Sequence, residues 1–139
     1  MCFIDFSKCF DSIDIELLFS KLQMQGVLYK FCKLIGFIYK NTQNYIRTGT
    51  FLANPFKSTT GCPQGCGLSS ICFSLFVADL PNCLLKLGPK LEKTVINYIQ
   101  YADDLAIVSR SPKELQKQLK RIEDYCEKNN LSINAQKRK

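Results

Sequence analysis

Histidine is absent from all 139 residues, and no Cys-x-x-Cys pair occurs among the eight cysteines. These two absences remove the usual makings of a zinc site, which draws on imidazole and closely spaced thiolates. Cys62 and Cys66 are the one close pair on a loop, with too few further ligands beside them. The thiols (Cys2, Cys9, Cys32, Cys62, Cys66, Cys72, Cys83 and Cys126) fall mostly within apolar stretches. They read as reduced core residues of an intracellular protein. No apolar run reaches the length of a membrane span, no secretory signal opens the chain, and no repeat, linker or low-complexity tract interrupts it. No targeting signal chooses between nucleus and cytoplasm. Acidic residues are missing altogether between Glu16 and Asp79, a stretch that holds six Lys and Arg. That asymmetry sits within an overall excess of 19 basic over 12 acidic residues, a net charge of +7. A basic surface of this kind suits a phosphate backbone, although a solvated basic face has the same charge. At 139 residues the chain is one domain at most, and 46% hydrophobic residues suffice for one core.

What is present begins with Tyr101-Ala102-Asp103-Asp104. The flanking segments, Val95-Ile96-Asn97-Tyr98-Ile99 and Leu105-Ala106-Ile107-Val108, are rich in β-branched and apolar residues and read as two strands of a hairpin. The bend brings two carboxylates to one spot, where they repel each other unless a cation lies between them. An ordinary solvated turn is the alternative reading of the pair. Near the start, Cys2-Phe3-Ile4-Asp5-Phe6 is an apolar run carrying a carboxylate where a buried strand avoids charge. Burying Asp5 there costs several kcal/mol unless it is paired, hydrogen-bonded or metal-bound; on an edge strand it would simply face water. Should Asp5 meet Asp103 and Asp104, three carboxylates without histidine favour Mg²⁺ or Mn²⁺ over Zn²⁺.

A third element is Gly61-Cys62-Pro63-Gln64-Gly65-Cys66-Gly67-Leu68-Ser69-Ser70, followed by the apolar stretch Ile71–Ala78. Its glycines let the backbone approach a ligand closely, and the apolar stretch predicts a buried helix. Main-chain N–H groups at that helix start, with Gln64 beside them, suit a phosphate or a base.

The remaining elements follow from local signals. Strand one covers about 2–6, and Asp14 caps a helix over Ile15–Gln25 that Gly26 stops. A second amphipathic helix runs from about Leu28 to Tyr39. Tyr45–Thr48 and Phe56–Thr59 are expected as short strands around a turn at Asn54-Pro55. Pro81 is expected to end the core helix, with a short helical piece over Leu84–Leu87. Ser111-Pro112-Lys113-Glu114 is a strong helix start, with Leu115, Leu119, Ile122 and Cys126 on the apolar face and Asn129-Asn130 at the end.

In order, FIDFSKCFD, PQGCGLSS and YADD resemble the palm of a reverse transcriptase, in the flavour of the non-LTR (LINE-type) retrotransposons. The likeness covers essentially all of residues 1–139, extending to Ala78-Asp79-Leu80-Pro81 and Leu131-Ser132-Ile133-Asn134-Ala135-Gln136-Lys137. It implies an α+β fold: an antiparallel sheet with helices packed on one face. It also implies RNA-directed DNA polymerase chemistry, with an RNA template, a DNA primer and dNTPs as partners. Carried over residue by residue, Asp5, Asp103 and Asp104 would hold two Mg²⁺ ions (Mn²⁺ as an alternative), with the Phe6 carbonyl as a further ligand. One ion would activate the primer 3′-hydroxyl and the other would bind the incoming triphosphate. Phe10 takes the position of an aromatic gate that excludes the ribose 2′-hydroxyl. Gln64 and Gly65 match the loop beneath the nascent pair, Tyr101 lies near the primer end, and Lys137, or its neighbour Lys139, matches a general acid for pyrophosphate.

The chain departs from the family at Gly67 and Ser70, where proline is common, and at Arg138, where threonine or serine is usual. The resemblance further implies a partial palm, with the fingers, thumb and any endonuclease elsewhere in a longer polyprotein, and little activity from these residues alone. Two other readings remain: a truncated palm that only binds nucleic acid, and the palm of an RNA-dependent RNA polymerase, against which Phe10 argues.

Overall fold

The computed structural model describes residues 1–57, 61–62 and 65–134. Its centre is a four-stranded sheet built on β1 (Cys2–Ser7). β6 (Tyr98–Tyr101) and β7 (Asp104–Ile107) form a hairpin, and β8 (Ser132–Ile133) closes the other edge, in the order β6-β7-β1-β8. Every neighbouring pair is antiparallel. Because side chains alternate along a strand, Ile4, Phe6, Leu105 and Ile107 point into the core. Phe3, Asp5, Ile99, Tyr101 and Asp104 occupy the opposite face. The helices cover only the first face, so the expected α+β architecture is found.

Two helices, α1 and α4, begin where the sequence signals a cap. In α1 (Ile15–Met24) the Asp14 carboxylate accepts from the Glu16 and Leu17 amides at 2.9 and 3.2 Å. In α4 (Pro112–Lys128) the Ser111 hydroxyl accepts from the Glu114 amide at 3.3 Å. Such caps satisfy donors that the first helical turn leaves unpaired. α2 (Tyr29–Asn41) buries Cys32, Gly36 and Tyr39 and leaves Phe31, Leu34 and Phe37 exposed. α3 (Gly67–Phe76) is the most deeply enclosed helix, with Cys72, Phe73 and Phe76 at the centre of the core. All eight cysteines are free thiols, five of them buried. Among the described residues no helix is long and apolar enough to cross a membrane.

A buried polar knot ties three helices together. The Lys21 ammonium of α1 donates to the Phe76 carbonyl, the Asp79 carboxylate and the Tyr125 hydroxyl, each at 2.9 Å. The Tyr125 hydroxyl in turn donates to Asp79 at 2.5 Å. Burial lowers the Lys21 pKa, and the bond to Asp79 only partly opposes it.

The structure corrects four local expectations. The short hairpin pairs β2 (Arg47–Thr48) with β3 (Phe51–Leu52), so it turns at Gly49-Thr50 and not at Asn54-Pro55. Gly49 takes φ +61°, the positive value that a two-residue hairpin turn demands, and proline cannot. α3 ends at Phe76, short of Pro81, because Lys21 captures the Phe76 carbonyl. Pro81 instead falls within a 3-10 turn over Leu80–Cys83. The Leu84–Leu87 segment is not helical: the buried Gln118 amide pairs with both main-chain groups of Leu85, at 2.6 and 2.9 Å. The expected Val95–Ile99 strand is split, with β4 (Lys90–Leu91) and β5 (Thr94–Val95) forming a small hairpin ahead of β6.

Candidate active site

The acidic hairpin lands directly beside the first strand. In the β1–β7 ladder Asp5 stands opposite Asp104, and in the β6–β7 ladder Tyr101 stands opposite Asp104. Directly opposed residues have Cβ atoms about 5 Å apart, and like charges so placed destabilise a sheet. Asp103 lies in the two-residue bend, whose first member, Ala102, takes φ +51°. The strand register therefore concentrates three carboxylates at one end of the sheet.

A cavity of about 600 Å³ opens there. Asp5 and Asp103 line it together with Phe6, Phe10, Gly65 and Ser70. Phe10 packs against Phe73 of α3, ring centroids 5.5 Å apart, while Phe6 meets the same ring edge-on at 6.0 Å. The glycine-rich segment is held against the first strand's exit. Gly61 donates to the Ile13 carbonyl at 3.1 Å and Cys62 to the Phe10 carbonyl at 2.7 Å. This approach leaves no room for a side chain: a Cβ on Gly61 would lie 2.7 Å from the Asp11 main chain.

Not every expected residue joins the cavity. Asp104 and Tyr101 adjoin a separate groove on the outer sheet face with Phe3 and Ile99, where Tyr101 is 83% exposed. Gln64 and Lys137 lie outside the described residues. Among the described residues no three acidic or thiol side chains converge closely enough to hold an ion by themselves. The donor set nonetheless consists of hard oxygens, the kind that Mg²⁺ and Mn²⁺ take.

Two residues that sequence reasoning passed over touch the carboxylates. The Cys9 thiol donates to Asp103 Oδ2 at 3.9 Å. Burial first, and then the Asp103 charge, push that thiol's pKa up. The Asn134 side-chain amide donates to Asp5 Oδ2 at 3.1 Å, and its main-chain N–H donates to the Asp5 carbonyl at 2.8 Å. A signal for Asn134 was present in the Leu131–Lys137 element, but nothing local in it points to Asp5.

An antiparallel sheet with helices on one face and carboxylates at a hairpin tip is the layout of a polymerase palm. The chain matches the reverse transcriptase (RNA-dependent DNA polymerase) family over residues 1–139, and it belongs to that family. It is 27% identical over 135 residues to the retrovirus-related Pol polyprotein from type-2 retrotransposable element R2DM of Drosophila melanogaster, covering 96% of this chain. It is 29% identical over 144 residues to the RNA-directed DNA polymerase from mobile element jockey of Drosophila funebris, covering 94% of this chain. The chain spans only 13% and 15% of the lengths of those two proteins.

Proposed function

We propose that residues 1–139 are part of the palm of a non-LTR retrotransposon reverse transcriptase, extending a DNA primer with dNTPs on an RNA template. One observation carries the reading: the cavity that gathers Asp5, Phe6, Phe10, Gly65 and Asp103 from three distant segments. Asp5, Asp103, Asp104 and the Phe6 carbonyl would hold two divalent cations, with Asp104 directly across the ladder from Asp5. When bound, such ions neutralise phosphoryl charge and make a hydroxyl a better nucleophile. The chain's own residues shape what enters. Phe10, held against Phe73, presents its ring at the cavity wall, where a ribose 2′-hydroxyl would collide with it. Gln64 and Gly65 support the nascent pair, Tyr101 lies near the primer end, and Lys137 protonates pyrophosphate as general acid.

The test is primer extension on an RNA template with Mg²⁺ and dNTPs, using this chain grafted into an intact related enzyme. Extension by the graft, abolished by Asp103→Asn, supports the proposal. A folded but inert graft overturns it in favour of a palm that only binds nucleic acid. In an active graft, Phe10→Val should raise ribonucleotide incorporation by about tenfold or more, since a pocket contact of this size discriminates on that scale. Unchanged discrimination removes Phe10 from the gate.

A further inference from the structure

Asp5 is gripped twice by one residue that the proposed mechanism does not use. Asn134 follows β8, and β8 is short: it pairs Phe6 with Ile133 and Ser7 with Ser132. The next position along that register is Asn134 beside Asp5, where the main-chain N–H of Asn134 reaches the Asp5 carbonyl. Its side-chain amide then donates to Asp5 Oδ2, and Asn134 itself lines the cavity. A slip of one residue would put Ile133 in that place and lose the donor. The end of α4 guards against the slip. Leu131 donates to the Cys126 carbonyl at 2.9 Å, and the buried Asn129 amide closes on the Tyr125 carbonyl at 2.7 Å.

The chemistry of the donor matters as much as its place. Asp5 faces Asp104 across the ladder and shares the cavity with Asp103, so the site already concentrates negative charge. A lysine at position 134 would neutralise the carboxylate and compete with a cation, while an aspartate would add repulsion. A neutral amide does neither. It occupies one lone pair of a group that has about four and fixes the carboxylate's rotation.

We propose that Asn134 is a positioning residue that holds the Asp5 carboxylate oriented for a divalent cation. The inference rests on the reading of Asp5 as a metal ligand, and the experiment separates the two. Mn²⁺ is titrated into the whole chain, and free Mn²⁺ is followed by its electron paramagnetic resonance signal, with thermal melting measured alongside. Asp5→Asn reports on the ligand, while Asn134→Ala and Asn134→Leu remove the side-chain donor but keep the main-chain bond. Asn129→Ala disturbs the α4 end without touching Asp5.

The expected result is that wild type binds Mn²⁺ and Asp5→Asn loses it. Both Asn134 variants should bind about 10-fold more weakly, the scale on which outer partners of metal ligands act, while melting close to wild type. Asn129→Ala should melt lower and keep its Mn²⁺ affinity. If Asp5→Asn loses binding but the Asn134 variants bind as wild type, the positioning role is overturned and the metal-site reading stands. If the Asn134 and Asn129 variants weaken binding in step with lost stability, Asn134 is merely structural and the inference is overturned. If wild type binds no Mn²⁺, the metal-site reading fails and takes this inference with it.

Discussion

Replacing Asp104 by asparagine should stabilise the metal-free chain. Asp104 and Asp5 are direct partners in the β1–β7 ladder, which puts their Cβ atoms about 5 Å apart. Two like charges at that distance repel by about 0.8 kcal/mol in water and about 3 kcal/mol at an effective dielectric of about 20. Asp104 is exposed, so the lower end applies and the gain from Asp104→Asn is about 1 kcal/mol. For a chain of this size that raises the melting temperature by roughly 3–5 °C. The assay is thermal unfolding followed by circular dichroism at neutral pH in chelator-treated, low-salt buffer. At about 1 M salt the gain should shrink, because the screening length falls to about 3 Å. Saturating Mg²⁺ or Mn²⁺ should reverse the order. An ion at about 100 times its dissociation constant adds about 2.7 kcal/mol to the wild type, and the variant, with a ligand removed, gains less. An Asp104→Asn chain that melts at or below wild type without metal would falsify the electrostatic account of the site.

Further outcomes concern the frame around the site. Gly61→Ala should cost at least about 2 kcal/mol in urea unfolding, because φ is +82° and the new methyl meets the Asp11 main chain; a neutral result would mean the loop does not seat there. Asp79→Asn should destabilise by about 2 kcal/mol, discounted because the Asp79 side chain is 43% exposed, and by more than Lys21→Met, which removes the buried charge itself; the reverse order in paired urea melts would refute the reading of the knot. Burial pushes Cys62 up to about 11 and Cys126 up to about 12, and raises Tyr39 and Tyr125 as well. The native state therefore keeps protons that the unfolded chain sheds from about pH 9, so stability in reducing buffer should hold below that pH and fall above it. The limiting slope is about 1.4 kcal/mol per pH unit for each group, and a flat profile to about pH 11 would contradict the burial of these groups.

The parts of the fold legible in the sequence are those with local causes. Asp14 and Ser111 cap the helices they announce, and the apolar run Cys2–Phe6 is the strand it was read as, with Asp5 off the core face. Elements fixed by distant partners were not legible. The early end of α3 depends on Lys21, 55 positions away, and the extended path around Leu85 depends on Gln118, 33 positions away. The Asn54-Pro55 pair is a strong turn signal, yet the Gly49 turn prevailed because its backbone geometry fits a tight hairpin. At the site, motif order pointed to Asp5, Phe10, Gly65 and Asp103, which the fold gathers. The amide of Asn134 and the thiol of Cys9 became visible only with their carboxylate partners in place.

The central strand of this sheet is made before any of the strands that pair with it here. β1 has no sheet partner within its own neighbourhood: Asp103 follows Cys9 by 94 positions and Asn134 follows Asp5 by 129. At about 5–20 residues per second, a ribosome takes roughly 5–20 s to supply the hairpin after β1 has been synthesised. Until then the two edges that β7 and β8 will pair lack those partners, and unpaired strand edges are what nascent chains aggregate through or present to chaperones. The register that assembles the candidate active site therefore comes late in synthesis, and the yield of folded protein should depend on how well that first strand is shielded while it waits.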